Sequence, residues 1–108
     1  VQFPSEITFH NMDHSDAVET RVRDEIEKLG RFNSALIGCR VVVSADHKSQ
    51  NKGRIFHTRI NISVPGSTLV VDREPEANRA HEDVYVAVRD AFAAARRQLQ
   101  DYAEKHHR

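Results

Sequence analysis

The chain has 108 residues, 39% hydrophobic and 30% charged, with 16 basic side chains against 16 acidic ones. That is enough for one modest core and too little for two. No apolar run approaches the ~18 residues a membrane span needs, and a net charge of zero excludes the strong overall positive field of a general nucleic-acid binder.

The lone cysteine, Cys39, has no internal disulfide partner, and the opening VQFPSEITF lacks the basic and apolar regions of a secretory signal. The expected compartment is the cytoplasm, with no membrane partner. Charge is unevenly spread, acidic up to Ser34, basic from Ala35 to Arg79 and balanced beyond, so a local basic surface is still available. Seven histidines would add positive charge below about pH 6.5, so polyanion binding is expected to strengthen on mild acidification.

In chain order, Ile7 and Phe9 alternate with Thr8 and His10 after Pro4, a short strand. A turn over Asn11 to Ser15 follows, in which Asp13 or Ser15 can cap a helix. Val18, Val22, Ile26, Leu29 and Phe32 supply its apolar face at helical spacing. Glu19 with Arg23, Asp24 with Lys28 and Glu27 with Arg31 set each acid four residues before its base, and the plain reading is a solvated, salt-laced face. Gly30 and Asn33 mark where this helix frays or ends.

Gly38 to Ala45 (GCRVVVSA) reads as a strand with Cys39, Val41 and Val43 on one face. DHKSQNKG is a polar turn cluster. Arg54 to Val64 then alternates cleanly: Phe56, Thr58, Ile60, Ile62 and Val64 point one way, and Ile55, His57, Arg59, Asn61 and Ser63 the other. Pro65-Gly66 turns the chain into a partner strand from Ser67 to Arg73, a hairpin that Pro75 stops.

The last stretch, His81 to Arg108, carries Val84, Val88, Ala91, Phe92, Ala95, Leu99 and Tyr102 at steps of three and four, one face of an uninterrupted helix. Glu82 and Asp83 place negative charge at its positive end. Tyr85, Arg89, Arg96, Gln100 and His107 fall on a stripe bordering the apolar face. Two amphipathic helices and a one-sided sheet predict an α+β fold, a two-layer β-α-β-β-β-α sandwich with a four-stranded mixed sheet and both helices on one face.

That order, the opening ITFHNMDHSDAVETRVRDEIEKLGRF and the closing HEDVYVAVRDAFAAARRQLQDY resemble the ribosome hibernation-promoting factor family, also called ribosome-associated inhibitor or sigma-54 modulation proteins. The most specific part is the last helix, with Asp83-Val84-Tyr85, Ala87-Val88 and Arg97-Gln98-Leu99. The resemblance covers nearly the whole chain and implies one ribosome-binding domain over residues 1–108. It further implies a topology similar to double-stranded-RNA-binding domains, and a partner in the small ribosomal subunit and its rRNA, whose occupancy inhibits translation in stationary phase or stress.

Lys28, Arg31 and Arg97 match basic positions of the family; Arg89 and Arg96, seven residues apart on one helical edge, are added from geometry alone. Lysine and arginine neutralise phosphates without reading sequence, arginine bidentately. Tyr85 can stack on a base or finish the core, and packing is the favoured reading. Where the family carries lysines this chain has Ala94, Asp101 and Ala103, which implies weaker and more salt-sensitive binding. Longer relatives pair ribosomes through a C-terminal domain, and no such domain is expected of a chain ending at Arg108.

Other chemistry is sparse. His10, Asp13 and His14 do not share a helical face, so no metal site is expected, and His106-His107 reads as a solvated tail. Cys39 among valines reads as a small buried group. Lys48, Lys52 and Arg54 can touch a polyanion or keep a loop soluble. No acid-base pair is spaced for catalysis, so the expectation is no enzyme, no cofactor and no small-molecule substrate. The alternative function is a protein-interaction or dimerisation module on the same scaffold, which leaves self-association open.

Overall fold

Period-two alternation in three of the four strands and period-3.6 alternation in two helices leave one apolar face on each element, and the architecture follows from burying all of them together. The computed structural model describes residues 3–47, 54–72 and 83–106. The elements run β1 (Ser5–His10), α1 (Asp16–Phe32), β2 (Gly38–His47), β3 (Arg54–Val64), β4 (Ser67–Asp72) and α2 (Val84–His106). Lys48, Lys52, Arg73, Pro75, Glu82 and His107 lie outside the described residues, as do the side chains of Arg54 and His106.

The sheet order is β1-β2-β3-β4. β1 and β2 are parallel, with Ile7 beside Val41, while β2–β3 and β3–β4 are antiparallel. The expected mixed four-stranded sheet with both helices on one face is therefore the observed one. Cys39, Val41, Val43, Ile60, Ile62, Val64 and Val71 from the sheet join Val18, Val22, Ile26 and Leu29 from α1 and Val88, Phe92, Ala95 and Leu99 from α2 in one buried cluster. Full burial of each large aliphatic or aromatic side chain stabilises by roughly 1.5–3 kcal/mol before conformational entropy is subtracted.

Ser15 is the N-cap of α1, its hydroxyl accepting from the Val18 N–H at 3.2 Å. Asp83 caps α2 in the same way, accepting from the Tyr85 N–H at 2.8 Å. At the β3–β4 turn Val64 pairs with Ser67, and Gly66 takes φ 79°, which a residue with a Cβ resists. The Tyr102 hydroxyl donates to the Pro65 carbonyl at 3.1 Å and Gln98 Nε2 to that of Val70 at 3.4 Å, tying α2 to β4 and its turn.

One expectation for α1 needs correction. Phe32 does not join the core but is 77% exposed. It lies about 80° round the helix from Val22, in the last turn before the C-cap Asn33. The helix ends where Gly30 and Asn33 mark it: Asn33 is the C-cap, and its N–H donates to the Gly30 carbonyl at 3.4 Å. Gly30 also admits a close-packed aromatic, since a Cβ there would stand 3.0 Å from the ring of Phe3.

The buried face of α2 is wider than the periodicity of its larger apolar residues suggests, because Ala87 and Ala94 are buried too. Thr58 faces the core at 3% exposure, with an Oγ1 that has no hydrogen-bond partner among the described residues. An unpaired buried hydroxyl is costly. Thr58→Val keeps the shape and is expected to raise unfolding stability by about 1 kcal/mol, measurable as a higher urea midpoint.

Candidate nucleic-acid interface

The two helices run in the same direction. Near their starts the Arg21 guanidinium sits 5.9 Å from the Tyr85 ring centroid, and Arg21 also reaches the nearly buried Glu25 at 3.5 Å. Near their ends Leu29, Phe32 and Asn33 of α1 face Arg96, Leu99, Gln100 and Ala103 of α2 across a groove. Tyr85 does not finish the core as expected: it stays 38% exposed, outside the buried cluster, and its ring meets Arg21 instead.

At 100° per residue, Lys28 lies on the flank of α1 that carries Arg21 and Phe32, and Arg89 on the flank of α2 that carries Tyr85 and Arg96. The fold brings Arg96 to the lining of the interhelical groove, with Lys28 and Arg89 exposed on the helix flanks that border it. It does not bring Arg31 and Arg97 there. Arg31 lines a depression on the other side of α1 with Phe3, Pro4 and Glu27, and Arg97, about 100° round from Arg96, is exposed on the outer side of α2.

Ion pairing separates the surfaces more sharply. On the outer face of the sheet Glu6 holds Arg40 at 2.8 Å, Asp72 holds Arg59 at 3.9 Å and Asp46 holds His57 at 3.5 Å. On that face each arginine among the described residues thus stands beside an acid on the neighbouring strand. On α1, Arg23 is held by Glu19 at 2.9 Å. Lys28, Arg31, Arg96 and Arg97 have no carboxylate within ion-pair distance among the described residues; Arg89 has only its chain neighbour Asp90, at 3.3 Å. An arginine without an acid keeps its donors for another anion. The groove adds Phe32, Asn33 and Gln100, of which sequence periodicity assigned Phe32 to the core and overlooked Asn33.

The three histidines with described side chains lie away from this surface. His10 is exposed at the end of β1, His57 lies on the outer sheet face, and His14 stands in the β1–α1 turn. Protonating these would charge the sheet side rather than the groove.

His14, Asp16 and Glu19 offer ligand atoms within 4.8 Å of one another, a grouping sequence spacing overlooked. Yet Nδ1 faces Asp16 at 3.3 Å while Nε2 faces Glu19 at 2.6 Å. Opposite nitrogens of one ring cannot serve one ion, so the arrangement is a hydrogen-bonded clamp on the helix start. Hydrogen bonds from His14 and then Arg23 hold the Glu19 carboxyl below its ordinary value. Since a lowered folded-state value favours the carboxylate, the stability it adds is present above the ordinary carboxylate range and is lost as pH falls through the lowered value. Glu19→Gln is accordingly expected to destabilise at neutral pH, with the gap from wild type closing in acid, as thermal unfolding across a pH series would show. Cys39, 5% exposed, has its thiol pushed up to about 12 by burial, which suits packing and not nucleophilic attack.

Fold and surface together define a small two-layer α+β protein whose helical layer, not its sheet, presents the unneutralised cations among the described residues. The chain belongs to the sigma-54 modulation protein / S30EA ribosomal protein family, whose model matches residues 5–107. Among solved structures it is similar to the N-terminal domain of Thermus thermophilus Protein Y, with 21% identity, TM-score 0.70, and 90% of this chain and 94% of that one covered. It is also similar to a ribosomal subunit interface protein from Coxiella burnetii, with 18% identity, TM-score 0.71, and 94% and 99% covered. No curated protein matches the chain in sequence.

Proposed function

We propose that the chain is a ribosome-associated factor that binds the small subunit through ribosomal RNA and inhibits translation in stationary phase or stress. Family membership points to the ribosome, and the Coxiella burnetii relative is a ribosomal subunit interface protein. The observation that carries the RNA contact is the helical layer itself, where Arg96 lines the groove and Lys28 is exposed on the α1 flank beside it, both without acidic partners among the described residues. With Arg89 they form the central contact, and Arg31 and Arg97 extend it outward. Residues 1–108 act as one binding unit, in the cytoplasm, with no catalytic step and no cofactor; no helix among the described residues is long and apolar enough to cross a membrane.

Net neutrality makes salt the sensitive variable, because phosphate contacts act by releasing counterions. Co-sedimentation with purified small subunits over a salt series is expected to show binding at low ionic strength that weakens steeply as salt rises. Absence of binding at the lowest salt would reject the reading. It would favour a protein-interaction role instead, for which the outward Val70, 44% exposed on the edge strand β4, is the natural contact.

A further inference from the structure

Phe32 is the most exposed large apolar side chain among the described residues, at 77%. Its neighbours in the groove decide what would cover it. Leu99 forms an apolar floor, Arg96 and Gln100 stand on the opposite wall, and Ala103 leaves the space beside the ring open. Lys28 is four residues before Phe32 on the same helix, on the same flank. Neither Lys28 nor Arg96 has an acidic partner among the described residues, and Gln100 makes no hydrogen bond there. A flat aromatic face, two uncommitted cations and a free amide are the parts needed for one unpaired nucleotide: a ring to stack on, charges for the phosphates on either side, and a donor and acceptor for a base edge.

We propose that Phe32 is a stacking platform for an unpaired base of the ribosomal RNA, seated in the interhelical groove with its flanking phosphates on Lys28 and Arg96. The inference rests on the ribosome reading above and deepens it, since it requires single-stranded or bulged RNA at this point of the contact and not the backbone of a duplex. A protein loop covering Phe32 is the competing occupant. The unpaired cations favour RNA, because both would otherwise be brought beside an apolar contact with no anion to meet them.

The chain contains no tryptophan, so Phe32→Trp makes a single fluorescent reporter at the site. Binding of this variant to small subunits is expected to quench its emission, as stacking on a base does. Phe32→Ala, at an exposed position that leaves the core intact, should lower affinity for small subunits by roughly 5- to 150-fold while leaving the salt dependence unchanged, because the ring carries no charge. Arg96→Ala should weaken binding and flatten the salt dependence as well. A photoreactive benzoylphenylalanine at position 32 should cross-link to an rRNA nucleotide.

If Phe32→Ala binds like wild type while Arg96→Ala is impaired, stacking is wrong and the RNA reading stands. Cross-linking to a ribosomal protein instead of RNA overturns the proposal in favour of the protein loop. Failure of the wild-type chain itself to bind small subunits removes both readings together.

Discussion

Replacing Lys28 and Arg96 together by glutamate is expected to reduce affinity for small subunits by on the order of 100-fold, with the slope of log affinity against log salt shallower by about 1.5. A hydrogen bond to a charged group is worth about 1.5–3 kcal/mol, and two lost contacts, partly compensated, give roughly the 2.7 kcal/mol that 100-fold represents. The control is Arg31→Glu with Arg97→Glu. It changes net charge by the same amount but alters the far side of α1 and the outer side of α2, so a loss of tenfold or less is expected. Equal losses in the two pairs would mean that charge acts at long range or that the outer residues share the contact fully, and the groove would lose its central place. The measurement is co-sedimentation of both double variants at matched salt, after circular dichroism has shown each to be folded.

The largest expected effect on stability comes from Phe92→Ala. Phe92 is 1% exposed and lies in the buried cluster shared by both helices and the sheet. Removing its ring leaves a cavity at the level where the layers meet, and truncations of this kind cost about 3–5 kcal/mol. Against a total stability of roughly 5–15 kcal/mol, that should lower the melting temperature by roughly 15–20 °C. Phe32→Ala provides the contrast in the same chain. At 77% exposure it should change stability by less than about 0.5 kcal/mol. A large loss at Phe32 would show that its ring is covered in solution and would contradict the groove as described.

Much of this architecture was legible from spacing. Alternation placed Thr58, Ile60, Ile62 and Val64 on the inner face of β3, and all four are buried. Steps of three and four placed Val88, Phe92, Ala95 and Leu99 on the inner face of α2, with the same outcome. Those residues were readable because a period of 2 or 3.6 is a property of the local backbone. Phe32 was misread for a related reason. Periodicity assigns a residue to a flank but does not say how far the neighbouring layer extends, and at the end of α1 the facing helix offers Arg96, Gln100 and Ala103 around the already buried Leu99, too little to cover the ring. Gly30 and Asn33 were legible as the end of α1, but the room that Gly30 leaves for the ring of Phe3 was not, because it depends on a residue 27 positions earlier.

The candidate site was only half legible. Family-matched positions drew attention to Lys28, Arg31 and Arg97, and helical geometry to Arg89 and Arg96. Nothing in the linear order says that Arg96 lines a groove with Phe32 while Arg31 and Arg97 lie away from it. The pairing of two helices is a long-range fact, set by the way their apolar stripes share one sheet face. By itself the amino-acid sequence determined the elements, their buried faces, the neutral overall charge and the family pattern, because each depends on residues close together in the chain. Only the tertiary structure decided which cations are quenched and which are left open. An ion pair such as Glu6 with Arg40 or Asp72 with Arg59 forms across strands whose register is fixed by folding, and the groove lies where two helices meet.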